Sequence, residues 1–113
     1  MMKVSALAAA CGFEFVNKPD GDERDVNGAY CCDLLSWVIG RAEDTDALIT
    51  VMSNSNVIAV AVMADLPCVI LSEGVRPDEK ALEKAKENDV AVLSSKLSTY
   101  ETAIMMGNVL KEI

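Results

Sequence analysis

The chain has 113 residues, 51% of them hydrophobic and only 4% aromatic, with a formal net charge of −8. That length suits one domain, expected over residues 1–113, with a core of Ala, Val, Ile, Leu and Met in which helices pack on a sheet. The acidic surface repels phosphate backbones and the ten Lys and Arg are scattered along the chain, which argues against a nucleic-acid partner.

Residues 3–11 have high helix propensity and end at Gly12, a natural C-cap. The apolar run 4–10 has no plausible cleavage site after it, so it is not expected to be a secretory signal. Residues 13–16 alternate like a short strand, and residues 17–24 form a polar loop around Pro19, Asp20 and Gly21. Residues 26–32 read as a strand, with Gly28 marking a bulge or a close backbone approach. Asp33 is expected to cap a helix over residues 34–42, in which Trp37 is either a core residue or a dimer contact.

Regularity begins at residue 47. Strands at 47–51, 68–71 and 90–93 alternate with helices at 57–64 and 78–87 and with a last helix opened by the Ser98–Glu101 capping box. Pro77 is placed just inside the fourth helix, the favoured position for proline at a helix start. The stripe Ala103, Met106, Leu110 and Ile113 recurs at helical spacing. Apolar strands alternating with helices imply a mainly parallel sheet covered on both faces, a three-layer α/β/α fold with right-handed crossovers. The longest apolar stretch, 57–64, is far short of the ~20 residues a membrane span needs, so no membrane association is expected.

The four cysteines contain no C-x-x-C pair and the chain has no His, a pattern that suits neither a zinc site nor a disulfide framework. They read as reduced, buried small hydrophobes of a cytoplasmic protein. Signatures of common chemistry are missing as well. There is no Gly-Lys for a P-loop, no two glycines lie two apart as G-x-G-x-x-G demands, and no serine elbow occurs. Asp44 and Asp46 precede a strand and so fall at the edge of the sheet opposite the expected site. The chain is therefore read as no enzyme, with no catalytic residue, no metal and no cofactor.

A parallel sheet gathers its strand carboxyl ends at one edge, where ligands of α/β proteins bind. Three polar loops fall there: Ser53, Asn54, Ser55 and Asn56; Ser72, Glu73 and Gly74; and Ser94 and Ser95. These nine residues are the candidate ligand contacts. Two roles stand open for each loop, since Ser and Asn cap helices and Gly74 serves turns without any ligand. Arg76 and Lys96 are the two cations at this edge, either neutralising an anionic ligand or simply solvated.

The run Gly28-Ala29-Tyr30-Cys31-Cys32-Asp33-Leu34-Leu35-Ser36-Trp37-Val38-Ile39 resembles a segment of small DRTGG-domain proteins. Leu48 to Val51, Asn56 to Ala61, Val69 to Gly74, Pro77-Asp78, Val92 to Ser95 and Ser98 to Ala103 continue the likeness, which extends from about residue 26 to 107. The resemblance implies a fold similar to the N-terminal domains of HPr kinase/phosphorylase and of MurE/MurF, without the P-loop domain that carries the kinase chemistry. Relatives carry an Asp-Arg pair where this chain has Asn54 and Ser55, and Thr-Gly-Gly where it has Ser72, Glu73 and Gly74. The three polar loops, which hold no reactive group, point to a regulatory or ligand-sensing module, expected to be a homodimer, that binds a nucleotide or other anionic small molecule there; the resemblance implies a regulatory or assembly role and names no ligand. The alternative it offers is an assembly partner of a larger enzyme complex, redox or hydrogenase-related.

Overall fold

The computed structural model describes residues 1–111. In chain order the elements are β1 (Met2–Lys3), α1 (Val4–Cys11), β2 (Glu14–Asn17), β3 (Asp25–Val26), β4 (Gly28–Cys31), α2 (Leu35–Arg41), β5 (Asp46–Thr50), α3 (Ser55–Met63), β6 (Val69–Leu71), α4 (Glu79–Glu87), β7 (Val92–Ser94) and α5 (Thr99–Leu110). Five strands form one sheet in the order β2-β7-β6-β5-β4, in which β4 to β7 run parallel and β2 pairs antiparallel with β7. The short ribbon β1-β3 stands apart.

The central strands are apolar throughout because both of their faces are covered, and their alternation divides the core into two layers. Ala47, Ile49, Cys68, Ile70, Ala91 and Leu93 point to the face packed by α1 and α5. Leu48, Val69, Leu71 and Val92 point to the other, beneath α2, α3 and α4. Met106 is fully buried in the first layer, with Ala103 and Leu110 packed partly buried beside it, as the helical stripe of α5 predicts. Ile113 of that stripe lies outside the described residues.

Several boundaries differ from the sequence reading for identifiable reasons. The strand expected over 26–32 breaks at Asn27: Val26 pairs with Met2, while Gly28 pairs with Asp46. Gly28 is thus in register and makes no bulge. The irregular step lies in β2, between Phe15 and Asn17.

Asp33 does not cap α2, whose N-cap is Leu34 with no side-chain bond. Its Oδ1 instead accepts the Thr50 hydroxyl at 2.7 Å and the Val51 N–H at 3.0 Å, tying the end of β4 to the end of β5. Pro77 lies outside α4, because Asp78 takes the N-cap by accepting the Ala81 N–H at 2.8 Å. Helix α3 starts two residues earlier than expected, since the Asn54 side chain caps it through the Asn56 N–H.

All four cysteines are free thiols. Cys11 and Cys68 are buried as expected, but Cys31 is exposed and Cys32 half-buried, because β4 is an edge strand with one flank open. Burial pushes the Cys68 thiol up to about 12 and raises Cys11 as well. Cys31 is raised too, first by desolvation and then by the Asp33 carboxylate.

Candidate ligand cleft at the strand carboxyl ends

The parallel run β5-β6-β7 brings the three polar loops to one edge, and hydrogen bonds then lace two of them together. After β6 the chain reverses in a tight turn closed by Val75 N–H to Ser72 carbonyl at 3.1 Å. Both central residues take left-handed backbone, Glu73 at φ 61° and Gly74 at φ 70°. Glycine meets that geometry freely, whereas a residue with a Cβ pays about 1 kcal/mol, which gives a physical reason for the two glycines of the Thr-Gly-Gly pattern. Glu73 offsets its strain by accepting the Thr99 N–H at 2.8 Å, placing a carboxylate at the positive end of α5.

The serines of this edge are engaged in the framework. Ser72 is fully buried, and its hydroxyl sits 2.7 Å from that of Thr99. Ser95 is 1% exposed and its hydroxyl lies 2.8 Å from that of Thr102, itself buried. The Ser94 hydroxyl donates to the Val75 carbonyl at 3.2 Å. Backbone bonds from Glu73 to Leu97 and from Gly74 to Ser95, both 2.8 Å, complete the lacing. Among the described residues, no buried side-chain polar atom lacks a partner.

This lacing floors an open cleft of about 750 Å³. Its polar side is bordered by Glu14, Gly74, Arg76, Ser94, Ser95 and Lys96. Its apolar side comes from Ala8, Ala9 and Phe13 around the end of α1, joined by Leu97 and Met105. Of the nine candidate residues the cleft therefore gathers Gly74, Ser94 and Ser95. Ser72 and Glu73 fasten its floor and rim without lining it. Ser53, Asn54, Ser55 and Asn56 stand apart at the end of β5, where the Ser53 carbonyl accepts the Asp78 N–H at 3.0 Å and Asn54 caps α3.

The apolar wall escaped the sequence reading. Its one local signal is Gly12, whose φ of 74° ends α1 and turns the chain into β2. Only the antiparallel pairing of β2 with β7, Glu14 opposite Ser94, carries that corner to the strand ends.

The two cations differ in state. Arg76 donates to Glu14 at 2.7 Å, each side chain 58% exposed, while Lys96 has no ion-pair partner among the described residues. Trp37 is not a core residue: it is 47% exposed, with the Arg41 guanidinium stacked 3.7 Å from its ring centre. A smaller hollow of about 160 Å³, bordered by Asp20, Asp22, Glu23 and Asp89, lies at the opposite end of the strands. No described helix is long and apolar enough to cross a membrane, and the described residues hold no cluster of three or more metal-ligating side chains.

A family model described as the DRTGG domain matches residues 6–109. Among solved structures, the CBS and DRTGG domains of the regulatory region of a Clostridium perfringens pyrophosphatase, complexed with the activator diadenosine tetraphosphate, superpose with a TM-score of 0.66 at 11% identity. The match covers 92% of this chain and 45% of that one, so this chain spans less than half of its length. No curated protein matches the sequence significantly. The structural likeness is one of fold: a mixed α/β unit with a mostly parallel sheet between helices.

Proposed function

The chain belongs to the DRTGG-domain family, and from that premise we propose that it is a regulatory, ligand-sensing domain without catalysis of its own, taking a nucleotide or other anionic small molecule in the strand-end cleft. The observation that carries this reading is the lining of the cleft, where Arg76 and Lys96, the latter without an ion-pair partner among the described residues, share the cavity with the apolar side chains of Ala8, Ala9, Phe13, Leu97 and Met105. Pockets that combine a few convergent polar groups with an apolar wall suit a ligand that has an anionic end and an apolar body. The pyrophosphatase region that shares the fold was crystallised with a nucleotide activator, which supports the ligand class.

In this reading Arg76 and Lys96 engage the ligand, and Gly74, Ser94 and Ser95 form the surface it rests on, the two serine hydroxyls staying in the framework. Ser72, Glu73 and the Ser53–Asn56 loop hold the edge in shape. Catalysis finds little support: the chain has no His, and the strand-end serines bond to threonine hydroxyls and carbonyls rather than to a base. The likeness to the HPr kinase N-terminal domain belongs to the same proposal and concerns fold, not phosphotransfer. A cytoplasmic setting is part of it as well, consistent with four free thiols.

A thermal-shift panel of nucleotides and sugar phosphates tests the reading. A ligand bound only by the folded chain stabilises it by about 2.7 kcal/mol at a hundredfold excess over Kd. At least one anion is expected to raise the melting temperature, and Lys96→Ala to diminish that rise. The absence of any shift across the panel would defeat the proposal.

A second reading, assembly through a protein surface, is favoured by a different observation. Leu34, Trp37 and Ile39 around α2, and Val62 and Met63 on the neighbouring α3, stand exposed. Such a face fits a homodimer contact or docking onto a larger enzyme complex.

A further inference from the structure

The geometry points to Glu14 as the residue that sets which anion the cleft accepts, acting as an internal competitor for Arg76. This inference rests on the reading of the cleft as an anion site.

Glu14 opens β2 and lies directly across from Ser94 on β7, so its carboxylate stands on the rim facing the strand-end loops. Arg76 belongs to the β6–α4 connection and lines the same cleft. The two meet at 2.7 Å, the distance of a charge-assisted hydrogen bond. A guanidinium otherwise offers a planar fork matched to two oxygens of one phosphate or carboxylate, and here Glu14 occupies part of that fork.

With Arg76 and Lys96 set against Glu14, the charged side chains that line the cleft sum to one positive charge, the Glu73 carboxylate being bonded to the Thr99 N–H outside that lining. That balance suits a singly charged anion, such as a phosphodiester or a carboxylate, engaging Lys96 while the ion pair stays closed. A phosphate monoester carries −1.5 to −2 charges near neutral pH. It is repelled by Glu14 unless it displaces that carboxylate from Arg76. The pair is solvent-exposed, so its own strength is of the order that one ligand contact can match. Glu14 therefore filters ligands by charge without sealing the cleft.

The test compares two probes that share base and sugar and differ in charge, cyclic AMP and AMP, titrated at low salt and followed through the amide signals of Ser94, Ser95 and Lys96. The wild-type chain is expected to bind cyclic AMP at least as well as AMP. Glu14→Gln should tighten AMP by roughly fivefold, the equivalent of one surface charge pair, and cyclic AMP by less than twofold. In an Arg76→Gln background the gain from Glu14→Gln should shrink, because the competition for the guanidinium is gone and only the repulsion by the Glu14 charge is left to relieve. Both positions are exposed, so circular dichroism melts should match the wild type and rule out misfolding as the cause.

Three results overturn the filter while leaving the cleft reading intact: equal tightening of both nucleotides, an undiminished gain without Arg76, or no gain although the wild type binds. If neither nucleotide binds the wild type or Glu14→Gln, the reading of the cleft as an anion site falls, and this inference falls with it.

Discussion

Helix α1 starts without a capping side chain of its own, since the Lys3 side chain at its N-cap bonds to the Glu23 carbonyl and Asp25 rather than to the first turn. Glu23, distant in sequence, supplies the missing acceptor: its two carboxylate oxygens take the Ser5 N–H and the Ser5 hydroxyl, each at 2.8 Å. Those bonds hold the Glu23 carboxyl below its ordinary value of 4.5, with the Ser5 hydroxyl the larger cause. A carboxyl whose folded value is depressed stabilises the fold above its unfolded value, and the benefit fades as pH falls through the folded value. Glu23→Gln is therefore expected to lower the urea midpoint at pH 7, with the gap to wild type closing below about pH 4. A constant gap from pH 7 to pH 3 would show that charge plays no part. In the sequence Glu23 reads only as part of a polar loop, because the pairing of β1 with β3 that brings it to α1 depends on residues far apart in the chain. Glu73 departs from the Thr-Gly-Gly pattern, and its bond to Thr99 depends on the fold that sets the turn after β6 beside the start of α5.

At the scale of elements, what was legible is what is encoded locally. The Ser98–Glu101 capping box forms as written, with reciprocal bonds at 3.1 Å and 3.3 Å. Gly12 closes α1 in the left-handed conformation that its C-cap role requires. The misread boundaries are those decided by a distant partner: Asp33 gave up the cap of α2 for Thr50 and Val51, which the parallel pairing of β4 with β5 delivers. The α5 docking onto the strand ends is of the same kind. Its buried Ser95–Thr102 hydroxyl pair joins the loop after β7 to the second turn of the helix. Ser95→Ala would leave the buried Thr102 hydroxyl with only a 3.5 Å contact to the Leu97 carbonyl, a loss of about 1–3 kcal/mol. Adding Thr102→Val removes the orphaned group, so the double variant should recover much of that loss in urea denaturation. Additive losses would mean that the pair contributes nothing as a pair.

For the molecule as a whole, the order β7-β6-β5 follows from alternating strands and right-handed crossovers, and it was readable from residue 47 onward. The antiparallel β2 at one margin was not, although it carries both Glu14 and the chain leading from the apolar wall of the cleft. The other margin, β4, leaves an unpaired strand edge with Cys31 exposed, close in sequence to the apolar surface of α2. An exposed edge and solvent-facing Leu34, Trp37, Ile39, Val62 and Met63 are costly on a lone acidic monomer unless something covers them. A second copy is the simplest cover, because an isologous contact needs only one self-complementary face. Sedimentation of the wild-type chain should then show a dimer at tens of micromolar. Trp37→Ser combined with Met63→Ser should shift the chain to monomer, and because both side chains are exposed the stability of the monomer fold should change by no more than about 0.5 kcal/mol per site. A wild-type chain that sediments as a monomer at that concentration would remove self-association from the proposal and leave a different protein as the only occupant this face could serve.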